Sequence, residues 1–133
     1  MKQEHVSHSD QISRLLTRFS EAWVARDLER VQACFHRDAV YFASVGPLPG
    51  QKAQGHSEIR DLVRRMFAHD ATTSQTVSEP IIAGDAAFQT WTYRDADGRE
   101  TPGCDLFRFR DGLIVLKDAY RKTHTPQPKE LKS

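Results

Sequence analysis

The sequence predicts an α+β fold in which a curved, mostly antiparallel sheet wraps around three N-terminal helices. Three observations lead there. Apolar residues up to about residue 70 recur at helical spacing, with one short strand among them. After residue 71 the period changes to two, and the turn dipeptides Gly84-Asp85, Asp97-Gly98 and Asp111-Gly112 divide the remainder into four strands. Three helices cannot cover both faces of a long sheet, so the sheet must curve around them and leave a conical, apolar pocket.

Ser7 or Ser9 can cap a first helix whose stripe is Ile12, Leu15, Leu16, Phe19, Ala22 and Trp23. Asp27 can cap a second, short helix with Leu28, Val31 and Phe35 inward. A strand over 38–43 sets Val40 and Phe42 on one side and Tyr41 and Ala43 on the other. Glycine and proline punctuation from Gly46 to Gly55 marks a loop. A third helix over 57–69 buries Ile59, Leu62, Val63, Met66 and Phe67. Segments 72–83, 86–94, 99–110 and 113–121 are the strands of an antiparallel meander. Pro80 has no N–H for a ladder, so it places an edge or a bulge in the first of them. Residues 9–122 are expected to form a single domain between flexible termini at 1–8 and 123–133.

Composition narrows the function classes. The 133 residues carry a net charge of +1, which gives no broad attraction for nucleic acid or an acidic membrane. No apolar run approaches the ~18 residues of a membrane span, and the polar start from Met1 to His8 carries no signal peptide. Cys34 and Cys104 make no disulfide scaffold and fit a reducing, cytoplasmic compartment. The histidines lack zinc-type spacing, and no glycine-rich nucleotide loop occurs, so no metal or organic cofactor is implied.

The most informative segment runs from Asp105 to Asp118. Asp111-Gly112 is a two-residue hairpin signal, since both central positions of a type I′ turn need φ > 0. The resulting register pairs Arg110 with Leu113, Phe109 with Ile114, Phe107 with Leu116 and Asp105 with Asp118. Alternation then places Asp105, Phe107, Phe109, Ile114, Leu116, Asp118 and Tyr120 on one face, and Leu106, Arg108, Arg110, Val115 and Lys117 on the other. Two carboxylates ~5 Å apart at an effective dielectric near ~20 repel by roughly 3 kcal/mol. So costly a pair requires a partner base, a shared proton or a different register. With a shared proton, one neutral acid and one anion could move a proton at carbon beside a carbonyl or at a leaving oxygen.

Other candidates are less specific. His56 is either a pocket base at a helix N-terminus or a solvent-facing loop residue. Tyr41 and Tyr120 could donate to a bound carbonyl, and Phe107 would line the pocket. The facing of Trp91 and Tyr93 depends on the Asp97-Gly98 loop. A two-residue loop sets Phe88 and Thr90 beside Phe107 and Asp105; an odd-length loop sets Gln89 and Trp91 there. Leu106, Val115 and, by one of these parities, Trp91 would leave an apolar convex face, and a homodimer is the simple cover.

Over about residues 11 to 122 the chain carries, in order, Phe19-Ser-Glu-Ala-Trp23 with Asp27 following, Phe35-His-Arg-Asp-Ala-Val-Tyr41, Gly55-His-Ser-Glu-Ile59, Gly84-Asp-Ala-Ala, and Gly103-Cys-Asp-Leu-Phe-Arg-Phe-Arg-Asp-Gly-Leu-Ile114. This ordered set resembles the nuclear-transport-factor-2-like superfamily and, within it, the SnoaL-like branch. The resemblance implies a cone-shaped, cystatin-like α+β fold. The superfamily includes polyketide cyclases, ketosteroid isomerases, epoxide hydrolases and dehydratases, in several of which acids on the late strands act as general acid or base. Asp105 and Asp118 match that place. The limonene-epoxide-hydrolase pattern sets an arginine two residues before its first acid; Gly103 stands there, so another arginine such as Arg94 would have to reach in. The ketosteroid isomerase pattern wants a tyrosine on the first helix, where Phe19 and Trp23 stand. The resulting expectation is a small-molecule-binding protein with isomerase-, cyclase- or hydrolase-type acid/base chemistry on an apolar or carbonyl-bearing ligand. The rival is a non-catalytic binding or interaction module on the same cone.

Overall fold

The computed structural model describes residues 7–123. Its elements are α1 (His8–Val24), α2 (Leu28–Ala33), β1 (Phe35–Phe42), β2 (Lys52–Gln54), α3 (Gly55–His69), β3 (Ser74–Val77), β4 (Ile81–Ala83), β5 (Ala86–Arg94), β6 (Glu100–Arg110) and β7 (Leu113–Arg121). Of the termini expected to be flexible, 1–8 and 123–133, residues 1–6 and 124–133 lie outside the described residues. The first helix already begins at His8, because Ser7 accepts from the Asp10 N–H and caps it. Asp27 caps α2 in the same way through the Arg30 N–H. All six apolar positions of the α1 stripe are buried. Among the described residues no helix is long and apolar enough to cross a membrane.

One sheet runs in the order β2-β1-β7-β6-β5-β3, with β4 also on β5. Its pairs are antiparallel except for β1 with β7. The segment 72–83 is not one strand but two. β3 pairs with 91–94 of β5 and β4 with 86–88, and the ladder breaks at Ser78-Glu79-Pro80, where proline has no N–H to give. A short strand, β2, also forms within the segment expected to be loop, against the end of β1.

The β5–β6 connection is the odd-length alternative. Residues 95–99 make a five-residue loop, in which Asp95 Oδ1 accepts from the N–H groups of Asp97 and Arg99. Gln89 therefore lies opposite Asp105 and Trp91 opposite Gly103, on the concave face. That face packs on α1 and α3 around Leu16, Phe19, Phe35, Tyr41, Ile59, Leu62 and Phe107.

The Asp111-Gly112 hairpin forms as expected, with φ of +55° and +74°. Arg110 pairs with Leu113 and Phe109 with Ile114; the register then slips, Arg108 pairs with Leu116, and Val115 has no partner. This is a β-bulge, and every residue of β7 beyond it changes face. Asp118 lies opposite Leu106, not Asp105, and Asp105 lies opposite Ala119. Lys117 turns inward and is 3% exposed, whereas Tyr120 turns outward and is 56% exposed. The expected Asp105–Asp118 facing is thus overturned. An unbulged ladder would bury two facing carboxylates; the bulge costs one unpaired residue and brings a lysine in place of the second acid. The parallel partner β1 carries a matching irregularity between Phe35 and Val40.

Candidate functional site in the cone

The cone holds two buried ion pairs, each against a pair of aromatic rings. Lys117 sits one diagonal step from Asp105 across the β6–β7 ladder, close enough for a long side chain. Its Nζ donates to Asp105 Oδ1 over 3.1 Å, with both side chains under a tenth exposed. The same ammonium lies 4.6 Å from the Trp23 ring centre and 4.5 Å from that of Tyr41. Burial pushes the Lys117 pKa down, and the charge and hydrogen bond of Asp105 work against that shift.

The second pair joins β7 to the end of α3. Arg121 donates through both terminal nitrogens to the two Asp70 carboxylate oxygens, at 2.9 Å each, and through Nε to Ser44 Oγ at 3.0 Å. Its guanidinium lies 5.4 Å from the Trp91 ring centre and 5.0 Å from that of Tyr93. Burial opposes this charge, but the bond to Asp70 and its carboxylate charge outweigh it and hold Arg121 above the ordinary arginine value. Burial pushes the Tyr41 phenol well up, and the Tyr93 phenol up to about 12. Tyr93 accepts from the Trp23 indole N–H over 2.9 Å.

Between these groups lies a cavity of about 20 Å³, enough for a single water. Ser20, Tyr41, Gln89, Trp91, Asp105 and Lys117 are among its walls. Gly103 makes room for one of them. A Cβ there would stand 2.3 Å from the Trp91 ring and 2.5 Å from the Tyr120 carbonyl oxygen, so only glycine lets the indole lie against β6.

The sequence-derived candidates separate. Asp105 and Tyr41 line the cavity. Phe107 is fully buried beneath it, edge-on to Phe19 at 5.7 Å. His56 is a fastener: its Nε2 donates to the Phe35 carbonyl over 2.9 Å, and its own carbonyl accepts from Gln32 Nε2. Asp118 and Tyr120 meet on the outer side, where the phenol donates to Asp118 Oδ2 over 3.0 Å. Arg94 stays at the surface with Glu100; the arginine that reaches in is Arg121, directly across from Gly103.

Sequence reasoning missed Lys117, Arg121 and Asp70. The first two follow from one bulge, and Leu113-Ile-Val-Leu116 hides it, because an all-apolar run looks the same in either register. The signal available was the improbable acid pair itself.

The architecture defines a class: α+β cone proteins whose concave pocket carries a few ionisable groups among aromatic rings. Within that class the chain belongs to the SnoaL-like domain family, whose model matches residues 16–117. An NTF2-like protein of unknown function from Mesorhizobium loti is 27% identical, with a TM-score of 0.75 over 92% of this chain and 100% of that one. A proposed ketosteroid isomerase from Kribbella flavida shares the fold at 16% identity and a TM-score of 0.72, over 93% of this chain and 89% of that one. A proposed polyketide cyclase from Xanthomonas campestris pv. campestris does so at 19% and 0.67, over 86% and 92%. No curated protein matches the chain.

Proposed function

We propose that the protein binds a small apolar or carbonyl-bearing ligand in the cone and moves a proton on it, with Asp105 as the proton acceptor and Lys117 as the cation that holds it in place. The observation that carries this reading is the buried Asp105–Lys117 pair, at 3.1 Å, inside an aromatic cavity. A carboxylate there is poorly hydrated and held in one orientation, which suits it to take a proton from carbon beside a carbonyl. Lys117, relieved of its partner as Asp105 becomes protonated, can donate to the developing enolate oxygen. Tyr41, whose phenol stays protonated at neutral pH, is a second donor in the same wall. Asp118 has no part in the reaction, because its carboxylate lies on the other side of the sheet from Asp105. The relatives described as a ketosteroid isomerase and a polyketide cyclase work in the same direction as this reading.

The test is hydrogen exchange on carbon. Unbranched methyl ketones in D₂O are followed by proton NMR, with and without protein. Exchange should be accelerated by the native chain and fall by about 10² or more in Asp105→Asn. Ketones that bind but exchange no faster than in buffer would leave a binding module, the rival reading.

The outer face supports a second property. A depression of about 490 Å³ there is lined by Phe88, Thr90, Thr92, Pro102, Cys104 and Tyr120, among others. Phe88 is 40% exposed, and its cross-strand partner Leu106 is half-buried on the same face. A homodimer through the convex sheet would cover this surface. Its two free cysteines and lack of a strong net charge fit a cytoplasmic protein.

A further inference from the structure

The cone, at about 20 Å³, is too small for any ketone until part of its wall moves. Outside it lies a surface groove of about 350 Å³, lined by Ser20, Glu21, Val24, Ala25 and Val77. Ser20 and Val77 line the inner cavity as well, so the two spaces meet between α1 and the end of β3. The Gln89 amide spans this boundary. Ser20 Oγ donates to Gln89 Oε1 over 3.4 Å, and Gln89 Nε2 donates to the Ser78 carbonyl over 2.9 Å. Ser78 is itself anchored, since its N–H donates to the Thr90 carbonyl over 2.9 Å and its hydroxyl accepts from the Thr90 N–H over 3.1 Å. An O–H···O contact of 3.4 Å is well beyond the usual ~2.7–2.8 Å, so the bond to the helix is the one that gives.

We infer that ligand reaches the cone between α1 and the end of β3, and that Gln89 is both the latch on this opening and the residue that limits ligand shape. The inference rests on the reading of the cone as a carbonyl site. The ligand class is a ketone or related carbonyl compound with a slender, unbranched apolar tail. Its head meets Asp105 and Lys117, and its tail lies along Val24, Ala25 and Val77. A chain passes once one side-chain amide rotates, whereas a broad ring system must part α1 from β3. Glu21 on the rim disfavours an anionic tail.

The chain has two tryptophans, and both Trp23 and Trp91 line the cavity, so tryptophan fluorescence reports on it; Trp91 also lines the outer depression, and Val77→Phe, which lies away from that depression, separates the two. Acrylamide quenching needs no ligand. Gln89→Ala should raise the quenching constant several-fold, Ser20→Ala should raise it less, and Val77→Phe added to Gln89→Ala should reverse the gain. Quenching unchanged in Gln89→Ala with an intact thermal melt overturns the latch, whatever ligands do; should that variant not fold, Ser20→Ala decides. Ketones from butanone to 2-decanone are then titrated by tryptophan fluorescence. Affinity should rise by about fourfold per methylene in the native chain, and Val77→Phe should flatten the series. Faster quenching in Gln89→Ala with no ketone bound keeps the opening but overturns the carbonyl reading and its ligand class. Ketone affinity independent of chain length overturns the placing of the tail.

Discussion

Replacing Lys117 by an apolar side chain of similar length would leave Asp105 as a carboxylate in an aromatic cavity without its cation. Taking one partner from a buried pair costs about 3–5 kcal/mol, because the remaining charge is left uncompensated. Lys117→Met should therefore lower stability by that order in urea unfolding, and Asp105→Leu added to it should restore most of the loss. A cost below about 1 kcal/mol for the single variant would mean that water already reaches the pair. Asp118 gives the contrasting case. A facing acid dyad would make Asp118→Asn stabilising by relief of repulsion, whereas the observed Asp118 accepts from the exposed Tyr120 phenol on the outer face. Its replacement should change stability by no more than about 0.5 kcal/mol.

At the scale of elements, the bulge at Val115 decides which chemistry the cone contains. Deleting Val115 would remove the extra residue and keep the observed register without a bulge, with Arg108 opposite Leu116, Phe107 opposite Lys117 and Asp105 opposite Ala119. Such a variant should therefore keep the Asp105–Lys117 pair, so that adding Lys117→Met costs about the same 3–5 kcal/mol in urea unfolding as it does in the native chain. A cost below about 1 kcal/mol for Lys117→Met in the deletion variant would show that β7 has shifted its register instead. β6 contributes the other constraint. Gly103→Ala would press a methyl group against the Trp91 ring and the Tyr120 carbonyl, one of them backbone that cannot swing away. A loss of about 1–3 kcal/mol is expected, with a changed tryptophan emission, since Trp91 must leave its seat.

For the whole molecule, alkaline pH exposes the cost of burying ionisable groups. An unfolded tyrosine loses its proton near pH 10, while burial holds the Tyr93 phenol up to about 12 and shifts Tyr41 in the same direction. Between these values the unfolded chain binds fewer protons than the folded one. The tyrosine contribution is thus complete below about pH 10 and is lost as pH rises toward about 12, some 3 kcal/mol for Tyr93. Lys117 works oppositely: its folded pKa is lowered, so stability rises with pH from that lowered value up to the ordinary lysine value near ~10.4. Urea melts across this range should show a rise followed by a steeper fall. Tyr93→Phe should make the fall shallower, and a flat profile from pH 10 to 12 would contradict the burial of both phenols. The convex face bears on the same scale. Light scattering should give twice the 15.2 kDa chain mass at micromolar concentration, and a monomer would mean that the Phe88–Tyr120 surface is uncovered.

Local chemistry by itself determined most of the fold. The α1 stripe, the Asp27 cap, the Asp111-Gly112 turn and the break at Pro80 are each decided by a residue and its near neighbours, through periodicity, a side-chain oxygen, positive φ or a missing N–H. It also marked Asp105 as an inward acid needing a partner. The identity of that partner was decided only by tertiary structure. A bulge inside Leu113-Ile-Val-Leu116 leaves no trace in an all-apolar run, and its effect is felt along the rest of β7 because the side-chain period is two. Asp70 was invisible for a different reason: its ion pair with Arg121 spans 51 residues, and nothing near it in the chain distinguishes it from an exposed acid at a helix end. Where a choice depends on one residue and its neighbours the sequence contains it. Where two registers satisfy the same pattern, the packing of charges against aromatic rings makes the choice.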